Sequence, residues 1–153
     1  FVCVVTCVFV AWRWLIPAVS ETFAPLLSAQ YEQRVGQVAL EQIRSLYLKP
    51  SHLGADIETV WRRQFDDKVI HWGAHVGSTP RWQLYVHAAP QIGPNAFALP
   101  GGDMVITDEL LELLKDEPDA VIGVLAHELG HFKYRHIVKM MVTQFAISFF
   151  ILK

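Results

Sequence analysis

Near the carboxyl end of the chain, five consecutive residues could bind a metal ion and activate water: His127-Glu128-Leu129-Gly130-His131. On an α-helix, residues four positions apart lie one above the other, so both imidazoles point the same way, about 6 Å apart at Cβ. At this spacing two ring nitrogens can reach one metal ion at about 2.0–2.1 Å. The pattern therefore predicts a zinc site with His127 and His131 as ligands.

Glu128 supplies the second part of this chemistry. It is rotated about a quarter turn from His127 around the helix, which places its carboxylate beside the metal position and close to a water bound there. Zinc lowers the pKa of such a water toward neutrality, and a glutamate can take the proton and pass it to a leaving amine. The three side chains are those needed to hydrolyse a peptide bond, with Glu128 as the general base.

The helix that carries these residues is predicted to begin at 116–119, where Pro118 lies early and acidic residues fill the first turn. Residues 120–129 are apolar nearly all round, which predicts a buried helix, and the helix is expected to run at least to His136. Buried histidine and glutamate side chains are costly unless they are satisfied, and a metal satisfies them together. The predicted burial therefore favours the metal site.

In the segments before this helix, apolar residues first recur at helical spacing, then alternate with polar residues as in a strand, and then recur at helical spacing again. The predicted elements are helices over Gln30–Leu48 and Ala55–Phe65, strands over Trp82–Ala88, Asn95–Leu99 and Met104–Thr107, and a helix from its cap Asp108 to about Lys115. The last two strands are joined by a turn of the sequence PGGD. Helices, a small sheet and further helices predict an α+β fold.

Both ends of the chain are apolar. Residues 1–12 carry no charge, and after Arg13 the apolar run continues to Val19, while 140–152 are again uncharged. A membrane-spanning helix needs about 20 apolar residues, so each run is slightly short. Because the sequence starts with Phe1 and stops inside an apolar run, the simplest interpretation is a fragment with a membrane helix truncated at each end. The predicted organisation is an anchor over 1–19, a globular domain over 20–136 and the start of a second transmembrane helix over 137–153.

Two alternatives stay open at these ends. Residues 1–19 could be a secretory signal peptide, which would make the protein periplasmic, and the second run could be a buried core helix. Lys133, Arg135 and Lys139 precede the second run. Positively charged residues next to a membrane helix tend to lie on its cytoplasmic side, which predicts a cytoplasmic domain.

Composition excludes several classes of protein. Hydrophobic residues make up 52% and charged residues 18% of the chain, against about 25% charge in a typical soluble domain, which excludes intrinsic disorder. The net charge is −2 and no basic stripe is present, so no nucleic-acid partner is expected. Cys3 and Cys7 lie in the first apolar run and cannot form a disulfide framework or a four-ligand zinc site.

The other histidines give weaker signals. His136 follows His131 by five residues without an intervening glycine, whereas the extended zinc motif needs a glycine and a histidine at the sixth position, so His136 is not expected to be the third ligand. His71 and His75 have helical spacing but no accompanying acid, and they are interpreted as surface or structural histidines. The histidines without any signal are His52 and His87.

With the histidine pair placed, the stretch from Asn95 to His136 resembles the zinc metallopeptidases that include CAAX prenyl endopeptidases, HtpX-type membrane proteases and Oma-type proteases. The matching pieces are PNAFALPGG at 94–102, VIT at 105–107, the leucines at 110–111, VLAHELGH at 124–131 and RH at 135–136. Two blocks at this separation are far more specific than the five-residue pattern alone.

The resemblance implies a zincin-like metallopeptidase domain over 20–136, with His127 and His131 as ligands of one Zn²⁺ and Glu128 as the general base. It also implies an edge strand beside the cleft for extended substrates, formed by Asn95, Ala96, Phe97 and Ala98. The third ligand of the family is a glutamate on a later helix, expected beyond residue 153. The chain as given should therefore hold zinc poorly, since a catalytic site uses three protein ligands.

The function implied is a membrane-associated zinc metalloendopeptidase that acts on protein or peptide substrates, in quality control or precursor processing, with the lipid bilayer as a further partner. The alternative is a non-catalytic, membrane-associated chaperone or scaffold with a degenerate zincin fold. A glutamate in a helical setting beyond residue 153 would favour the enzyme, and its absence would favour the scaffold.

Overall fold

The computed structural model describes Thr22, residues 26–76 and residues 81–151, without the side chains of 70–76 and 145–151. The predicted anchor or signal peptide over 1–19, with Cys3 and Cys7, lies outside the described residues. The side chains of His71 and His75 also lie outside them.

Helices precede and follow a small mixed sheet, so the α+β prediction is confirmed. In chain order the elements are α1 (Ala29–Tyr47), β1 (Lys49–Pro50), α2 (Ile57–Val76), β2 (Gln83–Ala88), β3 (Ala96–Ala98), β4 (Asp103–Thr107), α3 (Asp108–Leu113), α4 (Pro118–Lys133) and α5 (His136–Ile151). The described strands lie in the order β1-β2-β4-β3. β2 runs parallel to β4, whereas β1 and β3 pair antiparallel with their neighbours, which leaves β3 at one edge of the sheet.

The sheet has a core on each face because successive residues of β4 point to opposite sides. Met104 and Ile106 are fully buried against residues of α2 and α4, including Phe65 and Leu125. Val105 points the other way and packs in a second cluster that includes residues of α1. Helix α4 is therefore fixed on one face of the sheet, and α1 on the other.

Helix α1 lies directly on the turn between β3 and β4. A Cβ added at Gly36 would lie 1.8 Å from the backbone oxygen of Pro100, and one added at Gly101 would lie 2.5 Å from the Cα of Gln33. Gly101 also has φ 87°, a conformation that L side chains rarely adopt. Glycine is thus required on both sides of this contact, which fixes the hairpin that contains the edge strand.

The structure differs from the predicted elements in four main respects. Helix α2 extends well past the predicted end at Phe65, and β1 pairs with β2 where only a helix end was predicted. Thr107, not Asp108, is the N-cap of α3, since its side chain accepts a hydrogen bond from the Leu110 amide, while Asp108 is fully buried and binds the His52 amide instead. Helix α4 ends at Lys133 and does not reach His136.

Helix α5 contains residues 140–151 of the second apolar run and is 16 residues long. Within the described part of the chain, no helix combines the length and apolar character needed to cross a bilayer. The second transmembrane helix over 137–153 stays a prediction.

Candidate active site

Helix α4 is buried on one side and open on the other. Val121, Ile122 and Leu125 pack into the core, whereas His127 is exposed and a Cβ added at Gly123 would meet nothing within 4 Å. The prediction of a helix buried all round was therefore wrong. An open side is what a substrate needs to reach the histidines.

His127 and His131 face each other across one turn of α4. Their Nε2 atoms are 3.0 Å apart, and the rings meet edge to face with centroids 4.6 Å apart. Two nitrogens that bind one zinc ion tetrahedrally at 2.0–2.1 Å lie about 3.3 Å apart, so this pair fits two positions of a zinc site after a small adjustment. Among the residues that the structure describes, no group of three or more histidine, cysteine, aspartate or glutamate side chains is arranged to hold a metal ion.

Glu128 contacts the edge strand. Its Oε2 accepts a hydrogen bond from the backbone amide of Ala98 at 3.0 Å. This contact joins α4 to β3 and holds the carboxylate between the helix and the open edge of the sheet. The structure thus brings Glu128 next to the predicted substrate strand, although the two lie 30 residues apart in sequence.

The backbone of β3 alternates between its partner strand and the open edge. The Leu99 amide donates to Asp103 at 2.7 Å, and the Asn95 carbonyl accepts from Thr107 at 3.0 Å, so the odd-numbered residues face β4. Ala96 and Ala98 consequently point their amide groups away from β4, as alternate residues do in an antiparallel pair. The predicted substrate residues Asn95, Ala96, Phe97 and Ala98 therefore lie at the sheet edge beside Glu128; their role in binding stays a prediction.

His136, the first residue of α5, contacts this histidine pair, which the sequence did not predict. We call His127, His131 and His136 the α4 cluster. Nδ1 of His136 lies 3.0 Å from Nδ1 of His131, and the Tyr134 ring stacks on the His136 ring with centroids 5.8 Å apart. In a continuous helix, a step of five residues turns by about 140° from the starting side chain, so no contact is expected. The break after Lys133 removes that restriction and brings His136 back to His131.

The break is built around Arg135. This residue has φ 53°, a left-handed conformation that costs a non-glycine residue about 1–2 kcal/mol. Its guanidinium group donates to the Leu27 carbonyl at 2.9 Å and to the carboxylate of Glu32, which is 7% exposed. These contacts offset the backbone cost and join the start of α1 to the end of α4. Glu32 and Arg135 lie 103 residues apart, so local patterns gave no signal for the pair.

The remaining described histidines bind polar groups elsewhere. His52 lies between Asp108 and Glu112, with nitrogen–oxygen distances of 2.8 and 2.9 Å, and the hydrogen bond to Glu112 raises the pKa of His52. His87 contacts Arg44 and the Lys49 carbonyl. Neither lies in the cluster on α4.

Comparisons with known proteins identify relatives of the chain. The chain is similar to the Mitochondrial metalloendopeptidase OMA1 of Schizosaccharomyces pombe, with 30% identity over 125 residues, which is 80% of this chain and 35% of that protein. The protein of the same name from Saccharomyces cerevisiae is 39% identical over 56 residues, which is 37% of this chain and 16% of that protein.

The chain thus spans about a third or less of the length of these curated relatives. The sequence profile of Peptidase family M48 matches residues 57–153, which contain all of the α4 cluster. The resemblance to zinc metallopeptidases with Oma-type members is thereby confirmed, and the chain belongs to peptidase family M48.

Proposed function

We propose that the protein containing this chain is a zinc metalloendopeptidase, with His127 and His131 as zinc ligands and Glu128 as the general base. The observation that carries the proposal is the pair of Nε2 atoms 3.0 Å apart, with Glu128 next to His127 and hydrogen-bonded to the edge strand. Membership of peptidase family M48 supports the class of reaction.

Each residue then has a defined task. Zinc, when bound, supplies a Lewis acid that makes water a nucleophile near neutral pH. His127 and His131 would hold it, since their Nε2 atoms lie together on the open side of α4. Glu128 takes a proton from the attacking water and gives it to the leaving amine. The Ala98 amide fixes one carboxylate oxygen, so little reorientation is needed when the proton moves.

The open edge of β3 suggests how the substrate binds. An extended peptide can add to a sheet edge as a further strand, with main-chain hydrogen bonds that do not depend on sequence. Ala96 presents its amide and carbonyl groups at this edge and Ala98 its carbonyl group, since the Ala98 amide donates to Glu128. Asn95 and Phe97 complete the segment. We infer that a polypeptide passes along this edge, which brings its peptide bonds next to Glu128.

The third ligand is proposed to be a glutamate on a later helix, beyond residue 153, as the resemblance to zinc metallopeptidases implies. Membrane association and a role in quality control or precursor processing are further parts of the proposal. A cytoplasmic domain, with a periplasmic one as the alternative, stays a prediction from the charges around 133–139. The two relatives are named as mitochondrial.

The test compares Glu128→Gln with Glu112→Gln in the full-length protein that contains this chain. Glu112 is half-exposed on α3 and contacts His52, so its variant controls for the loss of one carboxylate. Both variants should retain the wild-type zinc content, measured by elemental analysis. Casein cleavage should fall about 10²–10⁴-fold in Glu128→Gln alone, the usual contribution of a general base. Full activity of Glu128→Gln would refute its role; a zinc-free wild-type protein would favour the non-catalytic scaffold.

A further inference from the structure

We propose that His136 is a positioning residue that orients His131 for metal binding. The proposal rests on the proposed role of His131 as a zinc ligand. It is carried by a separate contact, the 3.0 Å distance between Nδ1 of His131 and Nδ1 of His136.

The two ring nitrogens of His131 have different neighbours. Nε2 faces Nε2 of His127, whereas Nδ1 faces His136, each at 3.0 Å. A neutral histidine that gives the lone pair of Nε2 to a metal carries its proton on Nδ1, and that N–H needs an acceptor. Nδ1 of His136 accepts it when the His136 proton is on its own Nε2. With the protons placed in this way, the contact supports the tautomer and the ring orientation of His131 that binding to zinc requires.

The same geometry separates His136 from the ligands. His136 contacts His131 on the nitrogen opposite to the one that faces His127, and the His131 and His136 rings are 5.1 Å apart at their centroids. His136 thus lies on the far side of His131 from the metal position. A third ligand would have to face both Nε2 atoms, which His136 does not do.

The break between α4 and α5 holds His136 in this place. Arg135 adopts the left-handed conformation that turns the chain, and its contacts with Leu27 and Glu32 fix the turn from the side of α1. The Tyr134 ring packs against the His136 ring at an interplanar angle of 24°. His136 is therefore held by groups outside the zinc helix, so the orientation of His131 does not depend on α4 alone.

The test uses two substitutions of similar size in the full-length protein. His136→Asn places its Oδ1 close to the position of Nδ1 and keeps an acceptor for His131. His136→Leu fills the same space without one. Zinc affinity is measured by competition with a chelator, and the visible spectrum of the cobalt-substituted protein reports the ligand geometry. The melting temperature of the metal-free protein controls for folding.

We expect His136→Leu to bind zinc about 10–100-fold more weakly, the usual effect of removing an outer partner of a metal ligand, and to change the cobalt spectrum. His136→Asn should restore both properties to near the wild-type values, which a purely structural role of the imidazole would not predict.

Two results would overturn the proposal while leaving the proposed function intact: equal zinc affinity in wild type and His136→Leu, or equal losses in both variants. If the wild-type protein itself bound no zinc, the proposed function would fail, and this inference with it.

Discussion

His52 and His131 each have both ring nitrogens engaged, but by different chemistry. His52 contacts the carboxylates of Asp108 and Glu112, whereas His131 contacts the imidazoles of His127 and His136. Carboxylates favour the protonated ring, and a protonated ring has no lone pair for a metal. A neutral imidazole donates a hydrogen bond from one ring nitrogen and accepts one at the other, so a neutral His131 can bind both of its imidazole neighbours. The partners, and not the residue type, separate a structural histidine from a candidate ligand.

The two histidines also differ in what they hold together. The backbone amide of His52 donates to the buried Asp108 at 2.8 Å. The carboxylates that contact His52 therefore join the segment after β1 to α3. His131 instead lies on the open side of α4, where its partners come from the same helix and from the start of α5. Loss of His52 should therefore affect the fold alone, and loss of His131 the metal alone.

The largest expected effect separates the two sites by metal binding. In the full-length protein, His131→Ala should weaken zinc binding by more than about 100-fold, because a ligand itself is removed. Removing a residue that only hydrogen-bonds to a ligand usually weakens metal binding by at most about 100-fold. His52→Ala should leave zinc affinity unchanged. Both are measured by chelator competition. Equal zinc affinity in the two variants would remove the distinction between these histidines.

A second prediction concerns the support behind the α4 cluster. Glu32→Ala leaves Arg135 partly buried without its carboxylate, and breaking a buried ion pair in this way costs about 3–5 kcal/mol. Because the Arg135 side chain is 29% exposed, we expect the lower end of that range. Urea unfolding of the full-length protein gives the change in the free energy of unfolding.

The control is Glu41→Ala, which removes an exposed carboxylate from the same helix and should change stability by less than about 0.5 kcal/mol. Similar losses of stability in both variants would show that any lost carboxylate on α1 has the same cost. The ion pair with Arg135 would then contribute no specific stabilisation. A selective loss in Glu32→Ala would establish that α1 stabilises the break beside His136.

The sequence predicted the parts of the site that depend on neighbouring residues. The spacing of His127 and His131 needs only helix geometry. The resemblance of residues 94–102 to known peptidases implies an edge strand beside the cleft, but the contact of Glu128 with β3 was not predicted. The end of α4 could not be predicted, because no glycine or proline occurs between His131 and Met140. Helices usually end in the left-handed conformation at glycine. Here arginine takes that position, supported by Glu32 from a distant helix, and the contact of His136 follows from it.

The smallest expected effect is the pH dependence of His52. The hydrogen bond to Glu112 raises the pKa of His52 above its usual value near 6.5, so the folded state binds this proton more tightly than the unfolded state. The stabilisation is fully present below the unfolded pKa and is lost as the pH rises through the folded pKa. His52→Gln should therefore cost more stability at about pH 5.5 than at about pH 8.5 in urea unfolding. The effect will be small because the His52 side chain is 57% exposed. A cost that is the same at both pH values would mean that His52 stays neutral between its carboxylates, and the contrast with His131 would then rest on geometry alone.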